Sequence, residues 1–232
     1  MSEELENIKR WLKSIEDEPL EQMADFFAAR IGDYEEHMAH WAKLYEEMGK
    51  KVPEQSRTLL DIGCGTGLEL DEIFRYHPEI SVTAVDLSPE MLQVLKEKHP
   101  NKNLRLITAD YFLEPFGTES YDVAVSFETL HHYTAEKKLQ LFQKVYKCLK
   151  EGGCYLEVDY VADDDEWGQF LMEECARRRK KWNIPAEQYV HFDTPLTLEH
   201  ECNLLREAGF TDIDVSWPLE GDGTPMILAS KT

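Results

Sequence analysis

Residues 59–67 read Leu59-Leu60-Asp61-Ile62-Gly63-Cys64-Gly65-Thr66-Gly67, and the run Val82-Thr83-Ala84-Val85 ends in Asp86, 23 positions after Gly63. A buried strand entering a glycine turn, then a helix, then a strand closed by a carboxylate, is the layout of a nucleoside-binding βαβ unit. The glycines let the backbone approach the ligand, and the acid accepts ribose hydroxyls. The dinucleotide fingerprint needs its third glycine one residue later, where Leu68 stands. A phosphate loop would need Gly-Lys-Ser/Thr, which does not follow. The turn suits a nucleoside without a pyrophosphate and argues against an NAD-dependent oxidoreductase.

Strand and helix signals alternate outward from this turn. Strands are expected near Thr58–Ile62, Ser81–Val85, Leu104–Thr108, Val123–Phe127 and Cys154–Tyr160. Helices are expected over about Gly67–Tyr76, Pro89–Lys98 and Ala135–Leu149, with Ser88 as N-cap, Pro89 at the first helical position and Gly152 as a C-terminal stop. A helix over Thr197–Ala208, stopped by Gly209, precedes two closing strands at Ile213–Trp217 and Pro225–Ser230. The pattern predicts an α/β fold: a Rossmann-like, mostly parallel seven-stranded sheet with helices on both faces. Ligands of such sheets bind at the carboxyl ends of the strands, where the loops carrying Gly63, Asp86, Asp110 and Phe127 all fall.

Residues 1–50 read as an acidic N-terminal helical cap, in segments to about Ile15, over Leu20–Ile31 and over Tyr34–Met48. Residues 51–232 form the main domain, with a helical insert at about 163–195 after strand five. The insert is too long for a plain connection and reads as a lid or substrate wall, or a contact in a homodimer.

Asp61-Ile62-Gly63-Cys64-Gly65-Thr66-Gly67 resembles motif I of the class I S-adenosylmethionine (SAM)-dependent methyltransferases. Val85-Asp86-Leu87-Ser88, Thr108-Ala109-Asp110-Tyr111, Tyr121–Phe127 and Leu149-Lys150-Glu151-Gly152-Gly153 are similar to the later motifs, in order, over about residues 57–160. The resemblance implies SAM as cofactor and S-adenosylhomocysteine as product. It implies that Gly63, Cys64 and Gly65 lie along the methionine half of SAM, with Asp61 orienting its amino end. Asp86 would hold the ribose, Asp110 the adenine amino group, Leu87, Met91 and Tyr111 would flank the ring, and Ser126 and Phe127 would line the floor by the sulfonium. Phe26–Tyr34 resembles an aromatic-Arg-Tyr stretch of the family, so Arg30 or Tyr34 is expected to touch SAM.

Methyl transfer from a sulfonium is an in-line displacement, so positioning is the main task. A proton-bearing acceptor also wants a base, and His131 and His132, after strand four, titrate in the right range. A structural or cofactor-shaping role for this pair is the competing reading. Tyr160, His191 and Trp217 are further candidates by position. No histidine or cysteine stands at metal-ligand spacing, and Asp159 and Asp163–Asp165 read as a solvated acidic loop, so no metal is expected.

The formal charge of −21 disfavours nucleic acid. The one dense basic run, Arg177-Arg178-Arg179-Lys180-Lys181, reads as a solvated helix face near a helix C-terminus. A small-molecule methyl acceptor is preferred. No run approaches the roughly 18 apolar residues of a spanning helix, and Met1–Glu6 has no signal-peptide pattern. Five scattered cysteines, an odd number, suit a reducing cytoplasm. Two alternatives stay open: an enzyme that modifies SAM itself, like a carboxy-SAM synthase, and a non-catalytic SAM-binding regulatory protein.

Overall fold

β1 (Thr58–Ile62) is buried from Leu59 onward because it has a parallel neighbour on each side, β2 (Ser81–Asp86) and β4 (Tyr121–Phe127). The computed structural model describes residues 3–219 and 223–232, so Met1 and Ser2 of the expected cap lie outside the described residues. The other strands are β3 (Leu104–Thr108), β5 (Leu149–Val158), β6 (Asp212–Ser216) and β7 (Met226–Ser230), in the sheet order β3-β2-β1-β4-β5-β7-β6. Only β7 is antiparallel to its neighbours. The order reverses between β1 and β4, which opens a crevice at their carboxyl ends.

Alternate strand residues face opposite layers. Val82, Ala84, Val123 and Val125 pack with α4 (Ala42–Lys51), α5 (Leu68–Tyr76) and α6 (Pro89–Lys98). Leu60, Ile62, Ala124 and Tyr155 pack with α7 (Ala135–Cys148) and α9 (Leu198–Ala208) on the other face. Ser88 caps α6, its hydroxyl accepting from Met91 N, and Gly209 ends α9 in the left-handed region.

Three local expectations need correction. The third N-terminal helix is broken into α3 (Tyr34–Met38), a 3-10 turn at Ala39–Trp41, and α4. Trp41 and Tyr45 both pack on the ring of Phe127, at 5.8 and 4.2 Å between centroids, and the turn brings them to the same ring. Gly152 is not the helix stop: α7 ends at Cys148, and Gly152 sits in an irregular stretch of β5, where its N–H donates to Lys231 O at 3.0 Å. The basic run is not simply a solvated face either.

That run lies in α8 (Asp165–Trp182), the insert's helix, against α1 (Glu3–Ser14); α2 (Met23–Arg30) lies between α1 and α3 in the chain. Leu5 and Leu12 of α1 meet Trp167 and Leu171 of α8, with Val190 and Phe192, in a third apolar cluster. Arg178, 2% exposed, donates to Leu12 O at 2.6 Å and Ile15 O at 3.2 Å, placing its cation at the negative end of α1. Lys181 reaches Glu16 O and Asp17. Among the described residues no helix is long and apolar enough to cross a membrane.

Candidate functional site

The β1–α5 turn is tied to the end of β2. Gly63 N donates to Val85 O at 2.8 Å, and the Asp86 carboxylate accepts from Gly65 N at 2.9 Å and Ser88 N at 2.8 Å. Gly63 and Gly65 have φ of +70° and +50°, a region that favours glycine. Space matters equally: a Cβ on Gly63 would lie 2.2 Å from Thr129 Oγ1. Burial pushes the Asp86 pKa up, partly offset by the N–H groups it accepts from.

Gly63, Gly65, Asp86, Leu87, Met91, Tyr111 and Phe127 line one inner cavity of about 60 Å³, together with Tyr34. Other predicted residues lie elsewhere. Ser126 is on the opposite face of β4, its hydroxyl 2.6 Å from Tyr155 Oη, because neighbouring strand residues point to opposite sides. Cys64 is turned into the core between the sheet and α5. Asp110 lines no cavity at the site: it accepts from Phe112 N and from the hydroxyl of Tyr189, both at 2.8 Å. Arg30 pairs with Glu21 at 2.8 Å, stacks on Phe26, and faces a second, outer cavity.

Asp61 is buried behind the loop beside Glu69 of α5. Burial and the neighbouring carboxylate hold the Asp61 pKa well above its usual range, and burial brings Glu69 to about 7. The loop is therefore backed by two buried acids whose ionised forms a cationic ligand would favour.

The outer cavity, about 780 Å³, is in the usual size range of small-molecule sites. Phe27, Tyr34, Glu128 and His132 line both cavities, so the two meet at a seam. His131, Tyr160, His191 and Asp193 also line the outer one, whereas Trp217 is 51% exposed and lines neither. Asp159, expected in a solvated loop, is buried and accepts from His131 Nδ1 at 2.6 Å. Burial alone would lower the His131 pKa, but Asp159, Asp193 and Glu128 outweigh it and raise it to about 9. Burial and then the neighbouring His131 charge lower that of His132, while the two histidines hold Asp193 below the usual range against the effect of burial.

Met23, Ala24, Phe27, Thr129 and Tyr133 of the inner cavity, and Asp193 of the outer one, were missed by sequence reasoning. A signal existed for the last. Tyr189-Val190-His191-Phe192-Asp193 alternates polar-tipped and apolar residues, the mark of an extended segment with two faces.

A family model described as a methyltransferase domain matches residues 59–153. The chain is 28% identical over 180 residues to the O-methyltransferase cnsE of Penicillium expansum, covering 75% of this chain and 59% of that protein. It is 22% identical to the carboxy-S-adenosyl-L-methionine synthase of Campylobacter lari, covering 84% and 90%. Human N-acetylserotonin methyltransferase, solved with SAM, shares the fold with a TM-score of 0.63 at 21% identity, over 95% of this chain and 65% of that one. Three curated relatives are longer proteins, of which the chain spans 26%, 59% and 51%. The matched stretch covers the glycine turn and the first strands of the sheet that carries it, and with these relatives it supports a class I SAM-dependent methyltransferase.

Proposed function

We propose that the protein transfers the methyl group of SAM to a small molecule seated in the outer cavity. The seam carries this reading. A turn of the SAM-binding type lines one side, and a cavity of about 780 Å³ opens on the other, with His132 facing both. An acceptor held there meets the methyl carbon opposite sulfur, and such positioning contributes up to roughly 7–11 kcal/mol. A sealed pocket would instead have favoured a regulatory SAM binder.

The cofactor side would consist of Gly63, Gly65, Asp86, Leu87, Met91, Tyr111, Phe127 and Tyr34. Asp61 and Glu69 would act from behind the loop, a bound cation favouring their ionised forms. About 60 Å³ is far below the roughly 300–1,000 Å³ of ordinary ligand sites. Tyr34, whose hydroxyl would be 3.2 Å from a Cβ on Gly65, is therefore the side chain that swings aside on binding. Residues 1–50 and the insert supply most of the acceptor wall, which supports treating both as acceptor-specific additions. Relatives named as phosphoethanolamine N-methyltransferase and trans-aconitate 2-methyltransferase favour a small acceptor, the net charge of −21 disfavours nucleic acid, and the free cysteines suit a cytoplasmic setting.

The Campylobacter relative, spanned over 90% of its length, favours one second reading, synthesis of a carboxylated SAM. That chemistry wants a cation for the added carboxylate. Among the described residues no arginine or lysine lines the inner cavity, and Arg30 is held by Glu21. Isothermal titration with S-adenosylhomocysteine tests the cofactor assignment, and absence of binding would end it. S-adenosylhomocysteine formation from SAM across a panel of phenols, hydroxy acids and amines tests the transfer. Mass spectrometry of the ligand that co-purifies separates SAM from a carboxylated form.

A further inference from the structure

His131 and His132 leave the sheet together after β4, and Asp193 reaches them from the far end of the insert. Asp193 Oδ1 lies 3.5 Å from His131 Nε2 and 3.2 Å from His132 Nδ1. Donors bound to one ion at about 2.0–2.2 Å stand about 3.0 Å apart in an octahedron and about 3.4 Å apart in a tetrahedron. Both separations fit such edges. They fit hydrogen bonds less well: His132 Nδ1, on a side chain 3% exposed, has no hydrogen-bond partner in acceptable geometry.

The remaining nitrogen of His131 supports the same reading. Nδ1 donates to buried Asp159, which turns Nε2 toward Asp193, where an arriving ion would displace the Nε2 proton. A carboxylate that fixes the tautomer of a ligating imidazole is the usual support of a metal-bound histidine. Lys138, also buried, lies 3.7 Å from the other oxygen of Asp159 and pairs with Glu201, so the carboxylate is itself held in place. The neighbouring trio Glu128, His131 and Asp159 does not compete as a site: 2.6 Å between His131 and Asp159 is a hydrogen bond, too short for two donors sharing an ion.

We propose that His131 Nε2, His132 Nδ1 and Asp193 bind a divalent transition-metal ion, zinc in the first instance, with an open position toward the outer cavity. Two imidazoles and one carboxylate select zinc, iron, nickel or copper over magnesium and calcium, which take oxygen ligands. Three protein ligands leave a position for water or substrate, as in catalytic zinc sites. Spacing along the chain could not show this, because the third ligand is remote in sequence.

The ion's role rests on the methyl-transfer reading, whereas its binding does not. At the seam it would take an acceptor hydroxyl, a phenol or hydroxy acid, and lower its pKa. The hydroxyl proton leaves to solvent and the oxygen pair forms the bond to the methyl carbon. The pair of the broken S–CH₃ bond stays on sulfur, giving S-adenosylhomocysteine.

The test is calorimetric titration of the chelator-treated full chain with zinc chloride, with S-adenosylhomocysteine titrated separately into the same proteins. One zinc per chain is expected, weakened at least tenfold by His132→Ala and by Asp193→Ala and about tenfold by Asp159→Asn. His200→Ala, at an exposed histidine, is expected to leave it unchanged. Asp193 is 46% exposed, so its truncation opens no cavity in the core. Cobalt in place of zinc should give visible absorption that Asp193→Ala removes. No zinc binding, or binding that His132→Ala and Asp193→Ala leave intact, overturns the site. Zinc binding without S-adenosylhomocysteine binding would sink the methyl-transfer reading and leave the metal site standing; the reverse would do the opposite.

Discussion

Gly63→Ala is the substitution whose cost can be built up from parts. The residue has φ of +70°, and an alanine held there costs roughly 1–2 kcal/mol in backbone strain. The new methyl would also lie 2.2 Å from Thr129 Oγ1, 3.0 Å from Cγ2 and 2.9 Å from Cβ, an overlap worth about 1–3 kcal/mol more. The total, about 2–5 kcal/mol, is a large part of the roughly 5–15 kcal/mol that holds a domain folded. The two contributions can be separated. Thr129→Ala removes Oγ1 and Cγ2 but keeps Cβ, and Thr129→Gly removes all three atoms. In the Gly63→Ala background, Thr129→Gly should therefore recover the whole steric share and leave about 1–2 kcal/mol of strain, whereas Thr129→Ala, which keeps the Cβ contact, should recover less and leave more. Urea unfolding followed by circular dichroism, run as a double-mutant cycle, reads the coupling directly. A coupling within about 0.5 kcal/mol of zero would refute the packing of the glycine turn against the loop after β4.

Asp86→Ala strands the N–H groups of Gly65 and Ser88 and removes the proposed ribose acceptor; at about 1.5 kcal/mol for each of two charge-assisted bonds, S-adenosylhomocysteine should bind roughly 100-fold more weakly by calorimetry. A dissociation constant within threefold of the parent would contradict that role. Glu69 has a folded-state pKa of about 7, above its unfolded value, so the folded chain binds the proton more tightly. Its stabilisation is fully present below about pH 4.5 and is lost as pH rises through 7, by a few kcal/mol. The stability difference between the parent and Glu69→Gln should fall from pH 5 to 8 in urea titrations, and parallel curves would count against it. Arg178→Ala leaves the carbonyls of Leu12 and Ile15 without their buried donor and should cost roughly 3 kcal/mol, read as earlier tryptic release of the first helix; an unchanged cleavage rate would show that α1 is held by other contacts.

Local physics was legible in the chain and long-range pairing was not. β1, β3 and α6 have the boundaries their signals gave, because an apolar run or the Ser88-Pro89 cap is complete within a few residues. The glycine turn and Asp86 were equally local, with sheet topology adding only that they meet. Ser126 could have been placed better from sequence, since two adjacent strand residues cannot both face one cavity and Phe127 was the bulkier candidate. Asp110 could not: its partner Tyr189 lies 79 residues away, and nothing in Thr108–Tyr111 announces that an insert hydroxyl takes the carboxylate. Asp159 looked like part of an acidic loop because Asp163–Asp165 follow it, yet the chain passes from β5 into the core at that point and buries it beside His131 and Lys138.

The extended stretch Tyr189–Asp193 explains why an N-terminal helix far from the glycine turn bears on the site. One face of that stretch carries Tyr189 to Asp110, His191 to a stacked contact with Phe26 at 3.5 Å, and Asp193 to the two histidines. The other face puts Val190 and Phe192 into the cluster with α1 and α8. Its backbone pairs with the segment entering α2, through Met23 N to Tyr189 O at 3.1 Å and His191 N to Glu21 O at 3.0 Å. Side chains alternate with a period of two, so a one-residue slip would exchange every cavity contact for a core one. The register is fixed by the apolar side, where burial of Val190 and Phe192 opposes a slip, and the polar side inherits that register. Arg178, by anchoring α1 against the same cluster, thus acts on the placement of Asp193 without approaching either cavity centre. The His191–Asp193 side of the outer cavity is therefore positioned by a core of its own, separate from the sheet that carries the glycine turn.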